Sequence, residues 1–309
     1  MGGPAVSVII PAYNREGTIA RALDSVLAQT LTDLELIVVD DASTDRTAEV
    51  VAAYADPRVR LLRHATNRRA AAARNTGIRA ALGRYVAFLD SDDEWLPEKL
   101  AVQIAALDAA PPDVAASCTG YLIVDGAELF ARTPTLVSYR QIFMGCDLSP
   151  GSTLVVRRDI YADVGLNDET LYRYEDWDWV LRYAQRYRMG VVPAYLARVY
   201  RGPRPPAAPM AQATERFLAK HAAELATFGP VYRRKIKALR RFELAELYFR
   251  DRDLGAGTAC LLKALGTWPL VRPGMYVLLV DALFGIPLQR ALWRLFRRPG
   301  AGPPVNRRA

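Results

Sequence analysis

The chain has 309 residues, is 51% hydrophobic and 24% charged, and carries a net charge of +8. That is enough chain for one large domain or two ordinary ones, and enough apolar surface to exclude a disordered protein. Three widely spaced cysteines (Cys118, Cys146, Cys260) and two distant histidines (His64, His221) exclude a disulfide framework and a Cys/His zinc centre, and favour a reducing, cytoplasmic setting.

The opening MGGPAVSVII has no basic run ahead of its short apolar stretch, so it reads as a first strand, Val6–Ile10, and not as a signal peptide. Further strands are predicted at Glu35–Val39, Val59–Leu62 and Tyr85–Leu89. Between them, apolar residues recur at helical spacing over Thr18–Gln29, Asp45–Tyr54 and Arg69–Leu82. This βαβαβαβ alternation predicts an α/β fold with a Rossmann-type, mostly parallel sheet flanked by helices. After Pro97 the rhythm changes: a helix over Pro97–Leu107, strands at Ala115–Leu122, Ser152–Val156 and Gly190–Tyr200, and a helix over Asp176–Arg188. The proline-rich RGPRPPAAP, Arg201–Pro209, marks the expected boundary between a domain at 1–204 and an all-helical extension at 205–309.

The extension is the basic part. Residues 230–309 hold 16 Lys+Arg against 5 Asp+Glu, a net of +11, which leaves 8 − 11 = −3 for residues 1–229. The acidic front, with no interleaving of aromatic and basic residues, excludes a nucleic-acid binder. In MYVLLVDALFGIPLQRALWRLFRRP, Met275–Pro299, the uninterrupted apolar runs are too short to span a bilayer. Leu288, Leu292, Trp293 and Phe296 can share one side of a helix, with Arg290, Arg294, Arg297 and Arg298 elsewhere. Two readings stay open: an interfacial helix at an anionic membrane, which would put the protein at the inner face of the cell membrane, or a helix docked on the catalytic domain or on the second subunit of a homodimer.

Ligands of parallel α/β sheets bind at the carboxyl ends of the strands. PAYNRE follows the first strand, DDAST the second and DSDD the fourth. In an extended FLDSDDEW, residues i and i+2 point the same way, so Asp90 and Asp92 can present two carboxylates to one hard cation, Mg²⁺ or Mn²⁺. A solvated, Asp-rich turn is the other reading. In VVDDAST, Ser43, Thr44 or Asp45 suits the N-cap of the next helix. That leaves Asp40 and Asp41 to accept a ligand's N–H or to hold a metal. In YEDWDWVLR, Asp178 can pair with Arg182 at i+4, and Asp176 fits either a dipole-complementing acid or a general base. Trp177 and Trp179 fit an acceptor wall or the core.

The stretch VSVIIPAYNREGTIARALDSVLAQTLTDLELIVVDDASTDRT resembles the opening of family 2 glycosyltransferases, which have the GT-A nucleotide-sugar fold. The resemblance continues through NRRAAAARNTGIRAALGRYVAFLDSDDEWLPEKL and EDWDWVLR, over residues 5–200. It implies a nucleotide-sugar-binding half at 1–110 and an acceptor-binding half at 111–204. By that resemblance Pro11 and Tyr13 line the nucleoside pocket, Glu16 lies near it, Asp41 accepts from a uracil-like N–H, and Arg74 sits near base or phosphate. Asp90, Ser91 and Asp92 match the D-x-D that handles ribose, pyrophosphate and a Mg²⁺ or Mn²⁺ ion bound by Asp90 and Asp92, and Asp176 matches the base. One departure is visible: the family has glycine two residues after an asparagine such as Asn67, and this chain has Arg69. The implied activity is inverting transfer from a UDP- or dTDP-linked sugar to a hydroxyl of a glycan or lipid-linked acceptor, in building a cell-surface or secreted glycan. The alternative is a non-catalytic nucleotide-sugar-binding module that recruits partners through its helical tail.

Overall fold

The computed structural model describes residues 3–202 and 205–269. They fall into two compact units, one running to Arg201 and the other starting at Gly202.

The first unit opens with β1 (Val6–Ala12), α1 (Ile19–Leu27), β2 (Leu34–Asp40), α2 (Thr47–Ala52), β3 (Val59–Arg63), α3 (Arg69–Ala80) and β4 (Tyr85–Phe88). There follow β5 (Glu94–Trp95), α4 (Lys99–Asp108), β6 (Ala116–Asp125), β7 (Glu128–Arg132), α5 (Tyr139–Met144), α6 (Pro150–Thr153), β8 (Val155–Arg157), α7 (Ile160–Val164), α8 (Glu175–Ala184) and β9 (Met189–Tyr200). The strands form one sheet in the order β3-β2-β1-β4-β8-β6-β9-β5, with β7 on β6. β1, β2, β3 and β4 are mutually parallel; β8 runs antiparallel to both β4 and β6, and β6 and β9 are parallel.

The first half is built by the pattern read from sequence. Every residue of β2 is buried, and α1 turns Ile19, Ala22, Leu23 and Val26 inward at helical spacing. Pro11 is tolerated near the end of central β1 because pairing with β4 stops at Ile9↔Phe88. α3 buries the small residues Ala71, Ala72 and Ala73, and its packing on the sheet requires glycine at 77, where a Cβ would sit 2.5 Å from Ile9 Cγ2.

From the end of β4 onward the structure departs from expectation, most clearly at three places. β4 ends at Phe88, and Asp90–Asp93 is a turn closed by the Asp93 amide on the Asp90 carbonyl at 3.0 Å. Asp90 and Asp92 are therefore set by a turn and not by strand alternation. The strand expected at Ser152–Val156 starts only at Val155, because Ser152 and Thr153 end a helical turn over Pro150–Thr153, with Ser149 before it in the left-handed region. β9 is continuous from Met189, but its register against β6 skips from Thr119↔Val192 to Gly120↔Tyr195, so Pro193 and Ala194 bulge out where proline cannot donate to a ladder.

The second unit contains α9 (Ala207–Lys220), α10 (Ala222–Thr227), α11 (Pro230–Arg250) and α12 (Leu254–Thr267). Phe242 and Ala245 of α11 pack with Leu261 and Ala264 of α12. Among the described residues no helix is long and apolar enough to cross a membrane. The tail at 275–299 lies outside the described residues.

Candidate active site

Parallel pairing brings the ends of β1, β2 and β4 to one edge of the sheet, and the loops there hold most of the predicted residues. The loops after β1 and β2 are stapled together. Asn14 donates its amide to Ser43 Oγ (2.9 Å) and accepts the Thr44 amide on Oδ1 (2.9 Å). The Arg15 amide donates to Thr47 Oγ1, and the Glu16 amide to Asp45 Oδ2. Ser43 and Thr44 are thus loop ties and not the N-cap. Asp45 alone works at the start of α2, its Oδ1 accepting the Thr47 amide at 3.0 Å. Glu16 spends Oε2 on the amide and guanidinium of Arg46, both at 3.1 Å. Tyr13 stands 44% exposed at this edge, with Pro11 half-buried behind it.

The two adjacent acids have separate environments. Asp40 is wholly buried, accepts the Ser43 amide and ion-pairs with Arg63, its register partner on β3, at 2.9 Å. Asp41 accepts the Arg68 amide at 2.8 Å and the Arg69 amide at 2.6 Å, and its Oδ1 lies 2.7 Å from His64 Nδ1. His64 Nε2 meets Thr76 Oγ1 at 2.9 Å, so an imidazole that sequence reading passed over fixes Asp41 to α3. A base N–H reaching Asp41 would join or displace these donors.

The centre of the site is Arg74. Its guanidinium, buried on the tightly packed face of α3, donates to Asp90 Oδ1 and Glu175 Oε1, each at 2.7 Å. Burial alone would lower its pKa, but the carboxylates of Asp90, Glu175 and Asp176 outweigh that and raise it. The arginine joins the turn after β4 to the start of α8. Asp176 lines a cleft with Arg74, Gly151, Tyr161 and Trp179, and burial, then the Glu175 carboxylate, push its pKa up to about 6 against the pull of Arg74. At neutral pH it is ionised yet basic enough to take a proton.

The Asp90–Asp93 turn contains three carboxylates with different surroundings. The side chains of Asp90 and Asp92 are 39% and 34% exposed. Burial, then Asp90, raise the pKa of Asp92, which also lies 3.5 Å from Arg15. Ser91 is buried between them. Asp93 faces inward: it accepts the Tyr200 amide at 2.8 Å and shares a short hydrogen bond with Ser152 Oγ. Burial, then Asp90, push its pKa up to about 8. Two partly exposed, mutually repelling carboxylates fit a hard divalent cation. Among the described residues no group of three or more His, Cys, Asp or Glu gathers around a metal site. Asp90 and Asp92 would thus supply part of a coordination shell, leaving the rest to phosphate and water.

Two residues that sequence reading missed set this turn. Ser152 Oγ accepts the Asp90 amide at 3.2 Å, and its carbonyl accepts the Trp95 indole at 2.7 Å. Gly151 lies against the Asp90 carboxyl, so that a Cβ would stand 2.8 Å from Asp90 Cγ. Neither is marked by local pattern, because each acts on a residue some sixty positions away. Glu175 was also missed, although its place beside Asp176 is a visible signal.

Asp178 is fully buried and pairs with Arg182 at 3.0 Å, as i+4 spacing predicts. Trp177 and Trp179 are core residues whose indoles donate to the Ile142 and Gly165 carbonyls, although Trp179 also lines the cleft beside Asp176. Five of the six non-glycine residues with positive φ among the described residues are Asn14, Ala42, Arg69, Ser149 and Tyr174, all in the loops around this site. A left-handed residue other than glycine costs about 1 kcal/mol, and such strain gathers at functional sites.

Residues 7–161 match the glycosyl transferase family 2 pattern. The chain belongs to glycosyl transferase family 2. Over 140 residues it is 45% identical to the succinoglycan biosynthesis protein ExoO of Rhizobium meliloti, covering 43% of this chain and 40% of that one. Over 145 residues it is 37% identical to the Escherichia coli UDP-Glc:alpha-D-GlcNAc-diphosphoundecaprenol beta-1,3-glucosyltransferase WfgD, covering 46% and 56%. The matches thus span about half the length of these curated relatives. Among solved structures, S. aureus TarS 1-349 superposes with a TM-score of 0.62 at 23% identity, covering 87% of this chain and 81% of that one. The mannosyltransferase PcManGT from Pyrobaculum calidifontis, solved with GDP-Man and Mn²⁺, gives 0.59 at 22%, covering 96% and 82%. The fold is the GT-A-like one of these solved neighbours, a mostly parallel sheet flanked by helices, and in this chain further helices follow.

Proposed function

We propose that the chain is an inverting glycosyltransferase that moves a sugar from a UDP- or dTDP-linked donor to a hydroxyl of a glycan or lipid-linked acceptor, in building a cell-surface or secreted glycan. One observation carries this reading: Arg74 ties Asp90 of the D-x-D turn to Glu175, and so brings the donor-side acids and Asp176 into one cluster.

The roles follow from that cluster. Tyr13 and Pro11 line the nucleoside end beside Asp41, and the diphosphate lies toward Asp90 and Asp92. Asp90 and Asp92 would hold Mg²⁺ or Mn²⁺ there, and such an ion would neutralise the charge that develops on the departing nucleoside diphosphate. Asp176 takes the proton of the acceptor hydroxyl as its oxygen attacks C1 from the face opposite the diphosphate, and this single displacement inverts the anomeric centre. Arg74 holds Asp90 in place and tempers the basicity of Asp176. The relatives support a surface-glycan setting: one is named for succinoglycan biosynthesis and another for a diphosphoundecaprenol-linked acceptor.

The test is nucleotide release from a panel of UDP-, dTDP- and GDP-sugars, with Mn²⁺ and with EDTA. Release from a UDP- or dTDP-sugar with Mn²⁺ alone is expected, and Asp92→Ala should weaken UDP binding in Mn²⁺ while changing little in EDTA. Binding without release from any donor would favour a non-catalytic module. Equal losses with Mn²⁺ and EDTA would remove the metal role of Asp92.

A further inference from the structure

Arg69 begins α3 in the left-handed region, with φ 73°, at the position where the resemblance carries glycine. An arginine where glycine would be unstrained makes its side chain a candidate for a role. Its backbone does nothing that glycine would not do, since the amide simply donates to Asp41. Its guanidinium lies 5.1 Å from the centre of the Tyr172 ring, and that of Arg173 lies 6.0 Å from the same ring. Tyr172 is 41% exposed, and both arginines are exposed.

The surrounding charges sharpen the picture. Arg68 and Arg79 share the Glu169 carboxylate, at 2.9 and 3.8 Å. Arg69 and Arg173 have no carboxylate partner among the described residues. Two guanidinium groups with no carboxylate partner among the described residues, 5.1 and 6.0 Å from the centre of one exposed ring, suit an anion, and the planar fork of arginine matches phosphate oxygens. Two amides at the start of α3, those of Arg68 and Arg69, are already spent on Asp41, and the exposed guanidinium groups add side-chain donors beside them. The patch adjoins Asp41 on one side and the start of α8, with Asp176, on the other.

We propose that Arg69, Tyr172 and Arg173 form a substrate-phosphate site at the rim of the active-site cleft. Arg69 and Arg173 grip phosphate oxygens, and Tyr172 lies within cation–π reach of both guanidinium groups. Two substrates of the proposed reaction carry such a group: the donor, through its diphosphate, and a lipid-linked acceptor, through its own. The identity of these substrates rests on the proposed transferase reading, but phosphate binding is measured without turnover.

The experiment titrates the full chain with UDP in Mn²⁺ and, separately, with farnesyl diphosphate, for the wild type, Arg69→Gly, Arg173→Gln and the double variant. Arg69→Gly keeps the amide bonded to Asp41 and relieves the backbone, so its thermal midpoint should hold or rise, which separates lost binding from lost folding. The expected result is at least fivefold weaker binding of one or both probes, larger in the double variant. A loss for UDP alone assigns the site to the donor, a loss for farnesyl diphosphate alone assigns it to the acceptor, and a loss for both assigns it to a position both diphosphates reach. Affinities unchanged within twofold for both probes in the double variant would overturn the proposal. A chain that binds the diphosphates yet releases no nucleotide leaves this site standing and removes only the transfer reading.

Discussion

Strands β1 to β4 deliver functional groups at strand ends that the parallel ladder sets in register, Ala12 beside Asp40 and Ile9 beside Phe88. The segment from Ala116 to Ala184 delivers its groups from short helices and loops, held by side-chain ties to the first half. Arg74 holds Glu175, Asn75 holds the Asn167 backbone through its carboxamide at 2.9 Å, and Ser152 holds the Asp90 amide. The contrast locates fragility. A ladder of backbone bonds absorbs a lost side chain, whereas a site half assembled by side-chain ties loses its geometry when one tie goes.

The strongest attack on that contrast is Arg74→Met. It leaves Asp90 and Glu175 without their shared cation beside a half-buried Asp176, and a broken buried pair costs about 3–5 kcal/mol. Chemical denaturation should show a loss of that order and transfer should fall below detection. A variant of near wild-type stability and rate would mean that the two halves are not joined through Arg74.

Gly151→Ala tests the same join more gently. The added methyl overlaps the Asp90 carboxyl, so Mn²⁺-dependent UDP affinity should fall by about tenfold, or about 1.4 kcal/mol. Unchanged affinity would show that the Asp90 rotamer is free of the Gly151 backbone.

Lys99 probes the seam between the halves. It is fully buried in α4, 4.0 Å from the Trp95 ring and 2.9 Å from Gln103 Oε1, while Gln103 donates to the Ser117 and Thr153 carbonyls of the second half. Burial pushes its pKa down to about 7. The folded state therefore binds fewer protons than the unfolded chain between pH of about 7 and the ordinary lysine value, so Lys99 makes stability rise with pH across that window. Below pH 7 the penalty is complete. Lys99→Met should stabilise the protein at pH 7 by about a few kcal/mol and remove that rise. Unfolding midpoints at pH 7 and pH 9.5 measure both, and a midpoint difference identical to the wild type would place the titration elsewhere.

The same contrast governs what could be read from the sequence. The first half was legible because its signals are local: alternating apolar runs, helical spacing, and acids where strands end. Asp178 with Arg182 was legible for the same reason. The turn at Asp90–Asp93 was read as extended because three like residues give no clue that Asp93 faces inward. Ser43 and Thr44 looked like caps because capping is local, yet their partner Asn14 lies about thirty positions away. Gly151, Ser152 and His64 had no local mark at all, since each is defined by a contact that only the folded chain creates.

The central claim is that Asp176, gathered with Asp90 through Arg74, is the base of a sugar transfer. Its most direct test is Asp176→Asn, a change of one oxygen to nitrogen that leaves size and shape in place. Transfer should fall by at least about a hundredfold, the scale of a lost general base, while Mn²⁺-dependent UDP affinity stays within twofold of the wild type. Transfer at the wild-type rate with the same affinity would contradict the assignment.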